Sequence, residues 1–107
     1  MSGPRKKIVR ERLAQRDLEE HVDYLADRSP AVAVRFIDAA EQAFKRLRQT
    51  PEIGGLWDFQ DPRLRGIRVW PIRGFRNHLI FYRVTETAVQ VLRVLHGSRD
   101  IERILAG

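Results

Sequence analysis

Three histidines, a concentration of arginine and a serine–aspartate pair are the residues of this sequence that could do chemistry. His96 closes a β-like run and precedes Gly97, so it would stand at a strand end. There an imidazole that changes protonation near neutral pH could serve as a general acid or base. A histidine at a strand end is more often structural. His21, His78 and His96 show no helical or short-loop ligand spacing, and with no cysteine there is no thiolate to join them, so neither a metal nor a cofactor is expected. Ser98 and Asp100 read as residues opening a helix rather than as parts of a nucleophilic triad. Gly54-Gly55 and Gly66 lie outside any phosphate-cradling motif.

Arginine says more. The chain carries 20 Lys and Arg against 14 Asp and Glu, a formal net charge of +6. A field of that sign speeds encounter with phosphates or with acidic protein surfaces, and net charge does not choose between them. Only Lys6, Lys7 and Lys45 are lysines; the other cations are arginines, whose planar fork suits bidentate recognition of carboxylate and phosphate. A codon bias toward arginine explains the same excess. Between Arg63 and Arg99 eight arginines face a single acid, Glu86, a local charge of +7 that exceeds the total for the chain. A charge run is commonly a solvated face, but Arg83 and Arg93 fall inside predicted strands, where one sheet face must hold them. Trp57 and Trp70 fit two roles each: a half-buried core ring, or an aromatic that stacks on a base or anchors a partner.

The elements that must position these residues follow from periodicity. Lys6 to Arg12 holds the β-branched pair Ile8-Val9 among charges, which predicts a short edge strand. Ala14, Leu18, Val22 and Leu25 mark one face of a helix over about 14–28, with Asp17, Glu19 and Glu20 in its first turns, where the macrodipole favours acids. Ser29-Pro30 caps and opens a second helix, whose stripe is Ala33, Phe36, Ile37, Ala40, Phe44 and Leu47 and which Thr50-Pro51 ends. Residues 52–62 read as a loop, with Trp57 and Phe59 tucking it onto the core. The period then changes. Gly66 to Trp70, His78 to Val84 and Ala88 to Leu95 read as an antiparallel meander, the middle segment central and buried on both faces, with Pro71 at an edge or bulge. A short last helix follows, capped by Ser98.

This order gives an α+β architecture in which a helical hairpin covers one face of a sheet and leaves the other face free. A chain of 107 residues is read as a single domain over 1–107, residues 1–5 forming a flexible tail. No apolar run of membrane-spanning length exists and no apolar stretch follows the basic N-terminal residues, so a cytoplasmic protein is expected.

The ordered pieces Asp17-Leu18, Ser29-Pro30-Ala31, Pro51-Glu52-Ile53-Gly54, Leu64-Arg65-Gly66-Ile67-Arg68, Leu79-Ile80-Phe81-Tyr82-Arg83-Val84 and Val91-Leu92-Arg93-Val94-Leu95-His96-Gly97 together resemble the RelE/ParE toxins. These are the toxin components of type II toxin–antitoxin systems, and the similarity is greatest to the ParE branch of plasmid stabilisation proteins. The resemblance runs over about residues 6–105. It implies an N-terminal strand, a helical hairpin on an antiparallel sheet of three to four strands, and a short C-terminal helix. It also implies a ParD-like antitoxin whose C-terminal segment wraps the toxin, touching the two helices and an open sheet edge, with Arg65, Arg83 and Arg93 as candidate carboxylate partners.

The branches differ in mechanism. RelE-like members cut mRNA on the ribosome with a basic cluster and a tyrosine or histidine, whereas ParE-like members inhibit DNA gyrase. Here Leu79 stands where the nuclease branch tends to have arginine, Ile104-Leu105 where it has tyrosine, and the strand around Arg68 to Trp70 lacks its lysine pair. The leading expectation is therefore a non-catalytic gyrase inhibitor. The alternative is a ribosome-dependent endoribonuclease using Arg68, Arg93, His96 and Arg99; a third reading is a relative that only binds an antitoxin.

Overall fold

A computed structural model describes residues 6–97 and 99–107, so the expected N-terminal tail and the Ser98 cap lie outside the described residues. The elements run β1 (Lys7–Arg10), α1 (Arg12–Arg28), α2 (Pro30–Gln49), β2 (Gly55–Leu56), a 3-10 turn (Pro62–Leu64), β3 (Ile67–Ile72), β4 (Phe75–Val84), β5 (Ala88–His96) and α3 (Ile101–Ala106). The α+β architecture is the one expected. The sheet has the order β1-β5-β4-β3-β2 and is mixed: β1 lies parallel to β5, and the remaining pairs are antiparallel. It thus exceeds the expected three to four antiparallel strands, because β1 returns through the hairpin to pair in parallel and two residues of the 52–62 loop add a short edge strand.

Helix α1 begins earlier than its apolar stripe. Glu11 donates its backbone N–H to Val91 O at 2.9 Å as the last bond of the β1–β5 ladder, and the helix starts on the next residue. Its first turn therefore holds no acid, and the expected macrodipole role of Asp17 is replaced by burial. In α2 Ser29 Oγ accepts from Val32 N–H at 3.4 Å, Pro30 sits at the first position, and Arg46 and Arg48 occupy the last turn, as the sequence signals require. Ile37, expected in the core stripe, is 44% exposed at its margin.

Strand β4 is central, and Ile80, Phe81 and Tyr82 are each fully buried. Such a strand needs cover on both faces. On one side Ile80 and Tyr82 pack with Phe36, Phe44 and Leu47 of the hairpin. On the other, Phe81 packs with Leu64, Ile67, Leu95 and Ile101, so the face expected to be free is partly roofed by α3 and the segment before β3. Trp57 reaches this second core edge-on to Phe81 at 5.7 Å and stacks with Phe59. Helix α3 opens at Asp100 with no side-chain cap; Glu102 instead accepts the backbone N–H groups of Gln60 and Asp61 at 2.6 and 3.0 Å.

Two irregularities aim side chains. Register shifts at Pro71/Ile72, so proline does fall at a bulge. In the β4–β5 pair Phe81 opposes Arg93 while Tyr82 opposes Val91, which leaves Leu92 as the extra residue of a second bulge.

Candidate functional site

The bulge at Leu92 lies where β5 loses its outer neighbour, since β1 pairs with β5 only as far as Val91. Helix α1 replaces the missing strand with side chains. Asp17 accepts from Val94 N–H at 3.0 Å, and His21 Nε2 donates to Val94 O at 2.8 Å, so both polar groups of that edge residue are satisfied from one helical face. Asp17 also takes Arg93 in a two-pronged pair, from Nε at 2.8 Å and Nη2 at 2.9 Å. The Asp17 hydrogen bonds raise the Arg93 pKa, partly opposed by its burial. The β5 edge is in this way closed to strand addition beyond Val91, and the sheet's outer strands are β1 and β2.

Arg93 lines a groove of about 450 Å³ on the sheet face away from the hairpin. Arg12, Arg63 and Arg83 join it, with Glu11 as the one acid in the lining and Leu13, Leu92 and Leu105 as apolar wall. Each arginine is placed by a different device. Arg12 opens α1 directly beyond β1. Arg63 is held by Asp61, which accepts its side chain and its backbone N–H; the same bonds pull the Asp61 carboxyl below its ordinary value. Arg83 donates through Nη2 to the carbonyls of Arg63 and Arg65 at 3.1 and 3.3 Å, fixing the turn before β3. Of the three candidate antitoxin contacts, Arg83 and Arg93 thus share the groove. Arg65 does not; it is exposed beside Leu56, Trp57 and Phe59 in the neighbouring loop.

The four residues of the nuclease alternative are dispersed. Ile67 and Val69 belong to the core beneath α3, so Arg68 between them points to the hairpin face, where its Nη1 donates to Glu52 O and Gly54 O at 3.2 and 2.7 Å. Arg93 opposes Phe81 and so lies on the other face. His96 opposes His78 across the ladder, its ring 5.4 Å from that of His78, which packs in turn on His21 and Phe36. Arg99 is exposed beyond β5, its backbone N–H donated to His96 O. The Arg68 contact serves the loop: Gly54 N–H donates to Tyr82 Oη at 2.8 Å, and a Cβ on Gly54 would come within 2.5 Å of that oxygen. Burial pushes the Tyr82 hydroxyl pKa up.

The histidines, dispersed in sequence, form a row of edge-to-face rings. His78 in its middle is pushed down to about 4, first by burial and then by the charges of His21 and His96. Sequence reasoning missed this row, and it missed Asp17 and His21 as the cover of the β5 edge. A signal existed for the latter: both fall on the apolar stripe of α1, three and seven residues after Ala14, where an acid needs a buried partner. A second groove, of about 280 Å³, runs between α1 and α2; its floor is Leu18, Val22, Phe36 and Ile37 and its rim includes Glu19, Asp23 and Glu41. Its three acids outnumber its one cation, Arg10, the reverse of the balance in the sheet groove.

Fold and surface define a small basic α+β domain with an arginine-lined groove on the sheet face away from the hairpin. The model of the ParE toxins of type II toxin–antitoxin systems matches residues 8–101, and the chain belongs to that family. Among solved structures it is similar to one titled "Chromosomal ParDE TA system from P. aeruginosa", with a TM-score of 0.68 at 22% identity, over 85% of this chain and 95% of that one. No curated protein matches the chain. Among the described residues no helix is long and apolar enough to cross a membrane.

Proposed function

We propose that this type II toxin acts in the cytoplasm by binding DNA gyrase rather than by cutting RNA, and that a ParD-like antitoxin neutralises it by laying an acidic, apolar segment into the sheet groove. The observation that carries the neutralisation is the groove itself: four guanidiniums on an apolar wall, three of them already fixed by carboxylates or carbonyls before any partner arrives. Prior fixing lowers the entropy lost on binding. Arg83 and Arg93 receive carboxylates through the donors that their internal bonds leave over. The acid-rimmed helix groove then receives the apolar, uncharged or basic part of the same segment. Against RNA cleavage stands the separation of Arg68 and His96 from Arg93 by the sheet, since phosphoryl transfer needs its cations converging on one oxygen cluster.

The test uses Arg12 and Arg83, which can be neutralised without opening the Asp17 pair. Arg12→Gln with Arg83→Gln is expected to weaken the complex with the antitoxin encoded beside the toxin by about tenfold or more, the worth of one to two charge-assisted bonds. Unchanged affinity in a folded double variant would remove the groove from the account. Arg65→Gln, outside the groove, is expected to change it less than about twofold.

A further inference from the structure

A third cleft, of about 560 Å³, opens between α2 and β3 and shares no lining residue with either groove. Its walls are Ala39, Gln42, Ala43 and Arg46 of α2, with Trp70 of β3 and Arg73 of the following turn. The volume lies within the roughly 300–1,000 Å³ of small-molecule sites. No carboxylate lines it, and among the described residues neither Arg46 nor Arg73 forms an ion pair, whereas Arg10, Arg16, Arg63 and Arg93 each have an acidic partner. The two free guanidiniums share the cleft with an indole and a carboxamide.

We propose that this cleft binds a nucleotide, its base against Trp70 and its phosphate on Arg46 and Arg73. Each group matches one part of that ligand. Guanidinium forks suit phosphate oxygens. An indole takes the face of any base, and the Gln42 amide offers both a donor and an acceptor to a base edge. Ala39 and Ala43 supply the room, since larger side chains on that face of α2 would fill the space beside β3. The site is held in shape before binding. Trp70 packs on the hairpin-side core, and Arg73 stands at the tip of a two-residue turn that Gly74 makes possible at φ 84°. A free nucleotide and an unpaired nucleotide of a nucleic-acid strand share this chemistry. The site goes beyond gyrase binding and stands whether or not gyrase is the target.

Of the chain's two tryptophans, Trp57→Phe removes one and leaves Trp70 as the sole reporter. Fluorescence of that variant is titrated with ATP and with a short single-stranded oligonucleotide, at about 150 mM salt to limit non-specific attraction. Saturable quenching is expected, weakened at least about fivefold by Arg73→Ala or Arg46→Ala but less than about twofold by Arg65→Ala, which removes the same charge elsewhere. All three arginines are exposed, so the variants keep the core. Quenching by ATP assigns the site to free nucleotides; quenching by the oligonucleotide alone assigns it to a strand. No saturable quenching by either, equal weakening by Arg65→Ala, or inorganic phosphate competing as strongly as the nucleotide would overturn the proposal.

Discussion

At the scale of the residue, Asp17 decides most. It is 7% exposed and joins α1 to both the side chain of Arg93 and the backbone of Val94. Removing one member of such a pair leaves the other charge desolvated, so Asp17→Ala is expected to lower unfolding free energy by about 2–4 kcal/mol, slightly under the range for fully buried pairs because Arg93 is partly wet. Adding Arg93→Met should restore part of that loss; a double variant as unstable as the sum of the singles in denaturant unfolding would contradict the pairing. Gly54→Ala must displace Tyr82 Oη and Val69 O, and is expected to cost about 1–3 kcal/mol.

His78 gives the pH dependence. Its folded value of about 4 lies below the ordinary 6.5 that it regains on unfolding. The unfolded chain therefore binds the proton more tightly, and stability, complete above pH 6.5, falls as pH drops toward 4. The ceiling is about 3 kcal/mol at 1.36 kcal/mol per pH unit; the partial exposure of His78 reduces it to about 1–2. Guanidinium unfolding at about pH 7.5, above the window, and at about pH 5, inside it, should differ by less in His78→Phe than in the parent. An unchanged difference would assign the pH dependence elsewhere.

At the scale of the element, the hairpin was legible because both helices carry long stripes and Ser29-Pro30 is a cap with a mechanism. Phe36 is the centre of that stripe and fully buried, so Phe36→Ala should cost about 3–5 kcal/mol by calorimetry or denaturant titration. The three long strands were legible from their change of period. What periodicity could not show was the partner of β1: four residues say nothing about parallel or antiparallel pairing, which the length of the hairpin path decides. Nor could it show the bulge at Leu92, since one extra residue in an apolar run leaves the composition unchanged. That single residue sets which of Leu92, Arg93 and Val94 face the groove. The candidate site was accordingly half legible. Arg83 and Arg93 were named from their place inside strands and do share a groove, whereas Arg68 and His96, equally conspicuous in sequence, face the hairpin.

At the scale of the whole molecule, the +7 between Arg63 and Arg99 is not simply a solvated field. Arg68 and Arg83 are bound to backbone carbonyls and Arg93 to a carboxylate, so part of the charge is structural and part is presented in an ordered array. An acidic antitoxin segment should therefore associate faster at low salt, with the association rate falling steeply and the dissociation rate changing little as salt rises; the reverse pattern in stopped-flow or surface-binding kinetics would mean that the field does not steer the encounter. The most direct test of a toxin that binds gyrase and leaves RNA intact is a supercoiling assay on the antitoxin-free protein, run beside primer extension on a translated message. The account predicts inhibited supercoiling and uncut message; cleavage of the message at the ribosome with gyrase unaffected would contradict it.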